Sequence, residues 1–245
     1  MRNTLAITLI FVLFLTSCRR CKDIDAVAAK SVQEEVLDTL FTDSIPANVK
    51  PDIIDITPLS ELADTVFVNL KNYNNGFSYD LRYATADNFL KEKVYECGEC
   101  YTRVKTAKAL IAANEELRKK GYRIHFFDCY RPHDVQKKMW TILPNSQYVA
   151  NPAKGSIHNR GGAVDITLAK LDGTVLDMGT AFDYFGREAY HDYTLHSEEI
   201  NNNRRLLKET MEKYGFWSVR TEWWHYNLKT TSAYGIANFT WDCED

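Results

Sequence analysis

Ser156-Ile157-His158-Asn159-Arg160-Gly161-Gly162-Ala163-Val164-Asp165 is the stretch from which the rest of this chain can be read. His158 and Asp165 stand seven residues apart, too far for neighbouring helical turns to present them together. Gly161 and Gly162 permit a tight loop with unusual backbone angles. Ala163 to Leu168 then reads as a strand, so the spacing puts an imidazole on a loop and a carboxylate on the strand it feeds. Taken alone the pair is ambiguous, since Asp165 also reads as a buried structural acid and His158 as a surface residue.

Glu222-Trp223-Trp224-His225 changes the balance. It adds a second imidazole and a carboxylate three residues before it. Two His and one Asp fill three positions of a tetrahedral zinc site and leave the fourth for water. Glu222 is surplus to that ligand count and is free to act as a base. Trp223, Trp224 and Tyr226 supply an apolar wall, in which charges act more strongly. They are equally good core residues, and one position serves both ends. The expectation is a zinc hydrolase. Arg131, after the strand that ends at Asp128, is placed to point its planar fork at an oxyanion. Its plainer alternative is an ion pair with Asp128 or Asp134. His125, His133, His191 and His196 lack a partner at ligand spacing and read as structural or surface residues.

Working outward, Thr65–Leu70 alternates as a first strand. Tyr101–Gly121 reads as a helix with Val104, Ala107, Leu110, Ile111 and Leu117 on one face and Gly121 as its stop. A strand is expected at Tyr122–Asp128, and a helix from Pro132 through Trp140. Ser197 caps a helix over Glu198–Tyr214. Phe216–Val219 and Trp223–Leu228 close the pattern as strands. Strands and helices mix without regular βαβ alternation, which predicts an α+β fold with a small, mainly antiparallel sheet flanked by helices.

Of 245 residues, 45% are hydrophobic and 26% charged, enough for one core, and the net charge of −3 points away from nucleic acid. Leu5–Leu15 is apolar but too short to span a bilayer, and it leads into Leu15-Thr16-Ser17-Cys18. That run resembles a bacterial lipobox, with 1–17 removed and lipid placed on Cys18; the alternative is an ordinary secretory signal. Residues 18–59, polar and carrying Pro46, Pro51 and Pro58, read as a tether, with room for a short helix over Asp25–Leu40. Residues 60–245 are the expected catalytic domain. Cys21, Cys97, Cys100, Cys129 and Cys243 leave an odd count in an oxidising compartment. Cys97-Gly-Glu-Cys100 lacks the βαβ setting of a redox pair, so structural disulfides or buried thiols are expected instead.

Five ordered segments resemble the VanX-type D-alanyl-D-alanine dipeptidases, members of the zinc D,D-peptidase superfamily that shares a fold with the hedgehog signalling domain. They are Arg82–Phe89, Tyr130-Arg131-Pro132, the His158–Asp165 loop, Met178–Asp183 and Glu222–His225, and the likeness runs from about Tyr79 to Tyr226. It implies one Zn2+ per chain on His158, Asp165 and His225, with Glu222 as general base and Arg131 stabilising the transition state. It further implies Ser156 and Tyr95 near the substrate carboxylate, and Asp183 and Tyr83 near its free amino group. Leu90–Val94 is shorter than the family pattern, which bears on Tyr95. The lipobox and tether depart from the soluble members and imply a membrane-anchored envelope enzyme, with a small dipeptide as its partner and no protein partner evident. The implied activity is D-Ala-D-Ala hydrolysis in cell-wall metabolism, recycling or glycopeptide resistance. Two rivals remain: a carboxypeptidase or endopeptidase acting on longer stem peptides, and a non-catalytic zinc-binding lipoprotein, for which Glu222 and Arg131 have no use.

Overall fold

The computed structural model describes residues 56–73 and 75–243. The signal segment 1–17, Cys18, Cys21, the possible helix over Asp25–Leu40 and most of the tether lie outside those residues. Leu59, expected at the tether's end, instead packs against the core.

The sheet is built outward from β4 (Tyr122–Asp128) and β5 (Ala163–Lys170). Five strands run in the order β2-β4-β5-β7-β6, where β2 is Ser78–Tyr79, β6 Phe216–Ser218 and β7 His225–Leu228. All neighbours are antiparallel except β2 and β4, which are parallel. A separate antiparallel pair joins β1 (Phe67–Asn69) to β3 (Tyr101–Arg103). Three α-helices are present among the described residues: α1 (Val104–Lys119), α2 (His133–Ile142) and α3 (Glu198–Lys213). The fold is α+β, as the residue pattern predicts.

Helix α1 starts three residues later than its periodicity suggests. Tyr101–Arg103 pairs with β1, in the register Tyr101 to Asn69, and a strand partner some thirty residues away overrides the local helical pattern. Val104, Ala107, Leu110, Ala113 and Leu117 are fully buried on the α1 face toward the sheet. Asn114 on that face is buried too: its Oδ1 accepts from the Ile124 backbone N–H and its Nδ2 donates to the Asn75 carbonyl. Helix α3 begins as its cap predicts, with the Ser197 hydroxyl accepting from Ile200 N. Strand β7 starts two residues later than expected, because Trp223 and Trp224 form a turn whose backbone bonds go to Ala189 and Ile166. Both indoles are buried, Trp224 against Phe182 and Phe185. Burial of an aromatic this large contributes roughly 4–6 kcal/mol of gross hydrophobic stabilisation.

Two disulfides close the domain, Cys97–Cys243 and Cys100–Cys129. Cys97 and Cys100 therefore face different partners, in line with the rejection of a redox pair. The first bridge spans 146 residues of sequence and the second 29. On loop-entropy grounds each restrains the unfolded chain by about 3–5 kcal/mol, the longer loop more. Cys97→Ser/Cys243→Ser and Cys100→Ser/Cys129→Ser should each lower the thermal midpoint. Calorimetry showing neither midpoint moved would refute a stabilising role for the bridges.

Candidate active site

Strand register does most of the positioning. Asp165 on β5 is paired with His225 on β7, so their side chains leave the same face side by side. The His225 Nδ1 lies 2.9 Å from Asp165 Oδ1. His158 is brought to them by a short 3-10 turn, His158–Arg160, that ends on Gly161 with φ of 70°. A β-carbon at Gly161 would lie 2.3 Å from the Phe67 ring, and one at Gly162 would lie 2.0 Å from Thr231 Oγ1. The first glycine is required by both conformation and space, the second by space alone. The turn carries His158 Nε2 to 3.2 Å from His225 Nδ1 and 3.5 Å from Asp165 Oδ2.

The two spacings from His158 Nε2 are close to the edges of a tetrahedral zinc site, since bonds of about 2.0–2.2 Å put ligand atoms roughly 3.3–3.5 Å apart, and the His225–Asp165 spacing is shorter. Each imidazole is held from behind. The Cys129 carbonyl takes the Nδ1 proton of His158 at 2.7 Å, and Asn227 Oδ1 meets His225 Nε2 at 3.1 Å. Both facing nitrogens thus turn lone pairs toward the Asp165 carboxylate. Three such atoms this close repel one another unless a positive charge sits among them, so the donor set fits zinc. Burial would raise the Asp165 carboxyl, but the adjoining imidazoles, His158 first, hold it below the usual carboxylate range when they carry the protons that a metal would displace.

Glu222 lies outside this set, with its carboxylate 3.9 Å from His225 Nδ1 and half-buried. Burial pushes its pKa up, against the pull of His225, in the direction a general base needs. Arg131 satisfies both of its sequence readings. Its Nη2 donates to Asp128 at 2.7 Å and its Nη1 to Gln136 at 2.9 Å. Its Nε is buried with no acceptor among the described residues, while the side chain lines the same cavity as the metal set. Burial disfavours the guanidinium charge, and Asp128, with Tyr95, Tyr83 and Asp165 after it, together more than offset that.

The cavity holds about 450 Å³, and its walls include Ser156, Tyr83, Asp183, Phe185, Trp224 and Glu222. Asp183 stands in the left-handed backbone region, φ 59°, which Asp tolerates better than most residues. Its Oδ2 accepts from the Tyr83 hydroxyl at 2.9 Å. Burial, with Asp165 next, pushes the Asp183 carboxyl well above the usual range, so a cation placed beside it would be welcome. The Ser156 hydroxyl accepts from His158 N. Tyr95 requires a correction. It is buried behind the site, donating to Asp128 Oδ1 at 2.8 Å, and it does not line the cavity. Its role is to hold the carboxylate that holds Arg131.

Asp128, Gln136 and Asn227 do work that motif reading did not assign. Asn227 carries a visible signal, because it lies two residues beyond His225 and so shares its face of β7. Gln136 carries none without the fold. Of the other histidines, His125 meets Ser78 Oγ, His133 the Pro152 carbonyl and His196 the Glu188 carbonyl, and His191 borders a second cavity.

The family model described as D-ala-D-ala dipeptidase, Peptidase_M15, matches residues 63–240. The chain belongs to this family. It is 31% identical over 189 residues to the D-alanyl-D-alanine dipeptidase of Escherichia coli (strain K12), covering 77% of this chain and 94% of that protein. It is 32% identical over 184 residues to the Enterococcus faecium D-alanyl-D-alanine dipeptidase, covering 66% and 91%. Among solved structures, a vancomycin-resistance D,D-pentapeptidase in complex with Zn(II) shares 19% identity at a TM-score of 0.36, covering 55% of this chain and 76% of that one. As a member of this family the chain is a metallopeptidase.

His158→Ala and His225→Ala should each lose metal affinity by orders of magnitude. Asn227→Ala leaves the ligand count intact and should weaken it about 10- to 100-fold. Competition titration with a chelator measures all three, and full occupancy of either His variant at limiting metal would sink the ligand assignment.

Proposed function

We propose that this chain is a zinc-dependent D-alanyl-D-alanine dipeptidase, with one zinc per chain, held at the bacterial cell envelope by lipid on Cys18. One observation carries the dipeptide reading. A single cavity combines the His158–Asp165–His225 set with Asp183, a carboxylate whose only hydrogen-bond partner among the described residues is the Tyr83 hydroxyl. A free dipeptide is a small zwitterion, and a site for it needs a carboxylate for the ammonium close to the hydrolytic centre. The two curated relatives described above act on D-alanyl-D-alanine by name.

A bound zinc supplies Lewis acidity and brings the pKa of its water toward neutrality. Glu222 accepts the proton of the attacking water and returns it to the leaving amine nitrogen. Arg131, held rigid by Asp128 and Gln136, brings its guanidinium charge to the oxyanion that develops on the peptide carbonyl. Asp183 takes the substrate ammonium, with Tyr83 fixing its orientation. Ser156 is the wall hydroxyl suited to the substrate carboxylate. The two disulfides support an extracytoplasmic setting, since such bridges persist where the surroundings are oxidising.

Glu222→Gln should keep its zinc while losing roughly 10²- to 10⁴-fold in turnover; loss of metal together with activity would place Glu222 among the ligands instead. Asp183→Asn should impair hydrolysis of D-Ala-D-Ala without changing zinc content, and N-acetyl-D-Ala-D-Ala should be a poor substrate for the unaltered enzyme. Leaving a buried carboxylate unpaired costs at least about 1–3 kcal/mol. Specific activity on a stem pentapeptide equal to or above that on the dipeptide would reject the dipeptidase reading in favour of a carboxypeptidase or endopeptidase. In cells, Cys18→Ala should leave the protein unlipidated and release it from the membrane fraction, which fractionation and intact mass would show.

A further inference from the structure

Residues 234–243 line no part of the catalytic cavity and run to the Cys97–Cys243 bridge. Three consecutive ones, Ala237, Asn238 and Phe239, tie together the segments that carry His158 and Arg131. The Ala237 N–H donates to the carbonyl of Asn159, next to His158, at 2.8 Å, and the Ala237 carbonyl accepts from His133 N at 3.3 Å. Asn238 holds the start of α2: its Oδ1 accepts from Asp134 N at 2.8 Å and its Nδ2 donates to Asp134 Oδ2 at 2.7 Å. Phe239 meets Tyr130, the residue before Arg131, in two ways. Its N–H donates to the Tyr130 hydroxyl at 3.0 Å, and its carbonyl accepts from that hydroxyl at 3.1 Å. Its ring stacks on the Tyr130 ring, with centroids 4.5 Å apart and planes 13° apart.

The Phe239 ring also meets Phe67 edge-on at 4.9 Å, and Phe67 is the ring against which Gly161 presses to form the His158 turn. One ring thus backs both segments. They are joined to each other as well, since Arg131 N donates to the His158 carbonyl at 3.3 Å and Asn159 Nδ2 to the Arg131 carbonyl at 2.8 Å. Two residues on, Trp241 packs against Tyr95 at 5.5 Å, and Tyr95 holds the carboxylate that holds Arg131. A guanidinium pinned at its tip is still only as well placed as the backbone that carries it. Tyr130 is fully buried, and close-packed rings pass a displacement on where a loose contact would absorb it.

We infer that Phe239 is a positioning residue for the hydrolytic reaction: stacked on Tyr130, it holds Arg131 where its charge meets the developing oxyanion. This rests on the role proposed above for Arg131. Ser197 supplies the contrast, because its hydroxyl caps α3 through Ile200 N and contacts none of these residues.

Phe239→Ala, Phe239→Tyr and Ser197→Ala are compared as zinc-loaded proteins, below all their thermal midpoints. Phe239→Ala should lower kcat on D-Ala-D-Ala about 5- to 50-fold and change KM less than about twofold, since the oxyanion contact is made in the transition state. Phe239→Tyr keeps the stack and should stay within about twofold of the unaltered enzyme. Ser197→Ala should lose thermal stability and keep its kcat. A second readout needs no substrate. The buried Arg131 Nε–H, followed by NMR hydrogen exchange, should exchange about tenfold or more faster in Phe239→Ala, and at the unaltered rate in Ser197→Ala. Should Phe239→Ala not fold, Phe239→Leu keeps bulk without the stack and should show a smaller fall of the same kind. An unaltered enzyme that does not cleave D-Ala-D-Ala would sink the dipeptidase reading, and the exchange rates would then decide the role of Phe239 alone. Unchanged Arg131 exchange, equal kcat losses in Phe239→Ala and Ser197→Ala, or a loss confined to KM would overturn the proposal.

Discussion

Asp165 beside His225 is the contact on which the site depends, and it is a product of sheet register. Strand side chains alternate with a period of two, so a slip of one residue between β5 and β7 would send one of the pair to the opposite face. What fixes the register lies away from the chemistry. Val164, Ile166 and Leu168 are fully buried on β5, Tyr226 is fully buried on β7, and Ile166 N donates to the Trp224 carbonyl just before β7 begins. The hydrophobic core thus selects the only pairing that brings the carboxylate to the imidazole. His158 then needs just a short turn, and the two glycines allow that turn to press against Phe67 and Thr231.

Around that pair the structure is a set of nested holds. Cys129 and Asn227 fix the imidazoles, while Asp128 and Gln136 fix Arg131, with Tyr95 fixing Asp128. Each outer group is itself buried, so little freedom remains to be lost when substrate arrives. The bulge in β4 between Phe126 and Asp128 is part of this arrangement. It brings Asp128 opposite Asp165, where two carboxylates are tolerable because one is answered by Arg131 and the other by the histidines.

Where local pattern and tertiary contact agree, the chain was legible. Tyr122–Asp128 and the Ser197-capped helix follow the expected bounds, because periodicity and capping are local. That His158, Asp165 and His225 would meet, with Glu222 beside them, was legible because few arrangements other than a metal site use two His, one Asp and a spare Glu. Strand β3 was not legible, since its partner β1 is distant in sequence and the stretch has helical character. Tyr95 misled because a motif position tells which residues are near a site without telling which row they stand in. Asp128 was weighed only as a rival partner for Arg131, yet the ion pair is what holds Arg131 in place. The disulfide connectivity was open in the sequence, and only the fold shows which sulfurs meet.

The Cys97–Cys243 bridge has a consequence of another kind. Every residue assigned here to metal or proton transfer, from Arg131 to His225, lies inside the covalent ring that this bridge closes. One backbone cut anywhere in the ring leaves the fragments tied together, so a single nick by an envelope protease would not release a piece. Pulling on the two chain ends would likewise load the bridge and the residues before Cys97, and the segment bearing the catalytic groups would carry none of the tension.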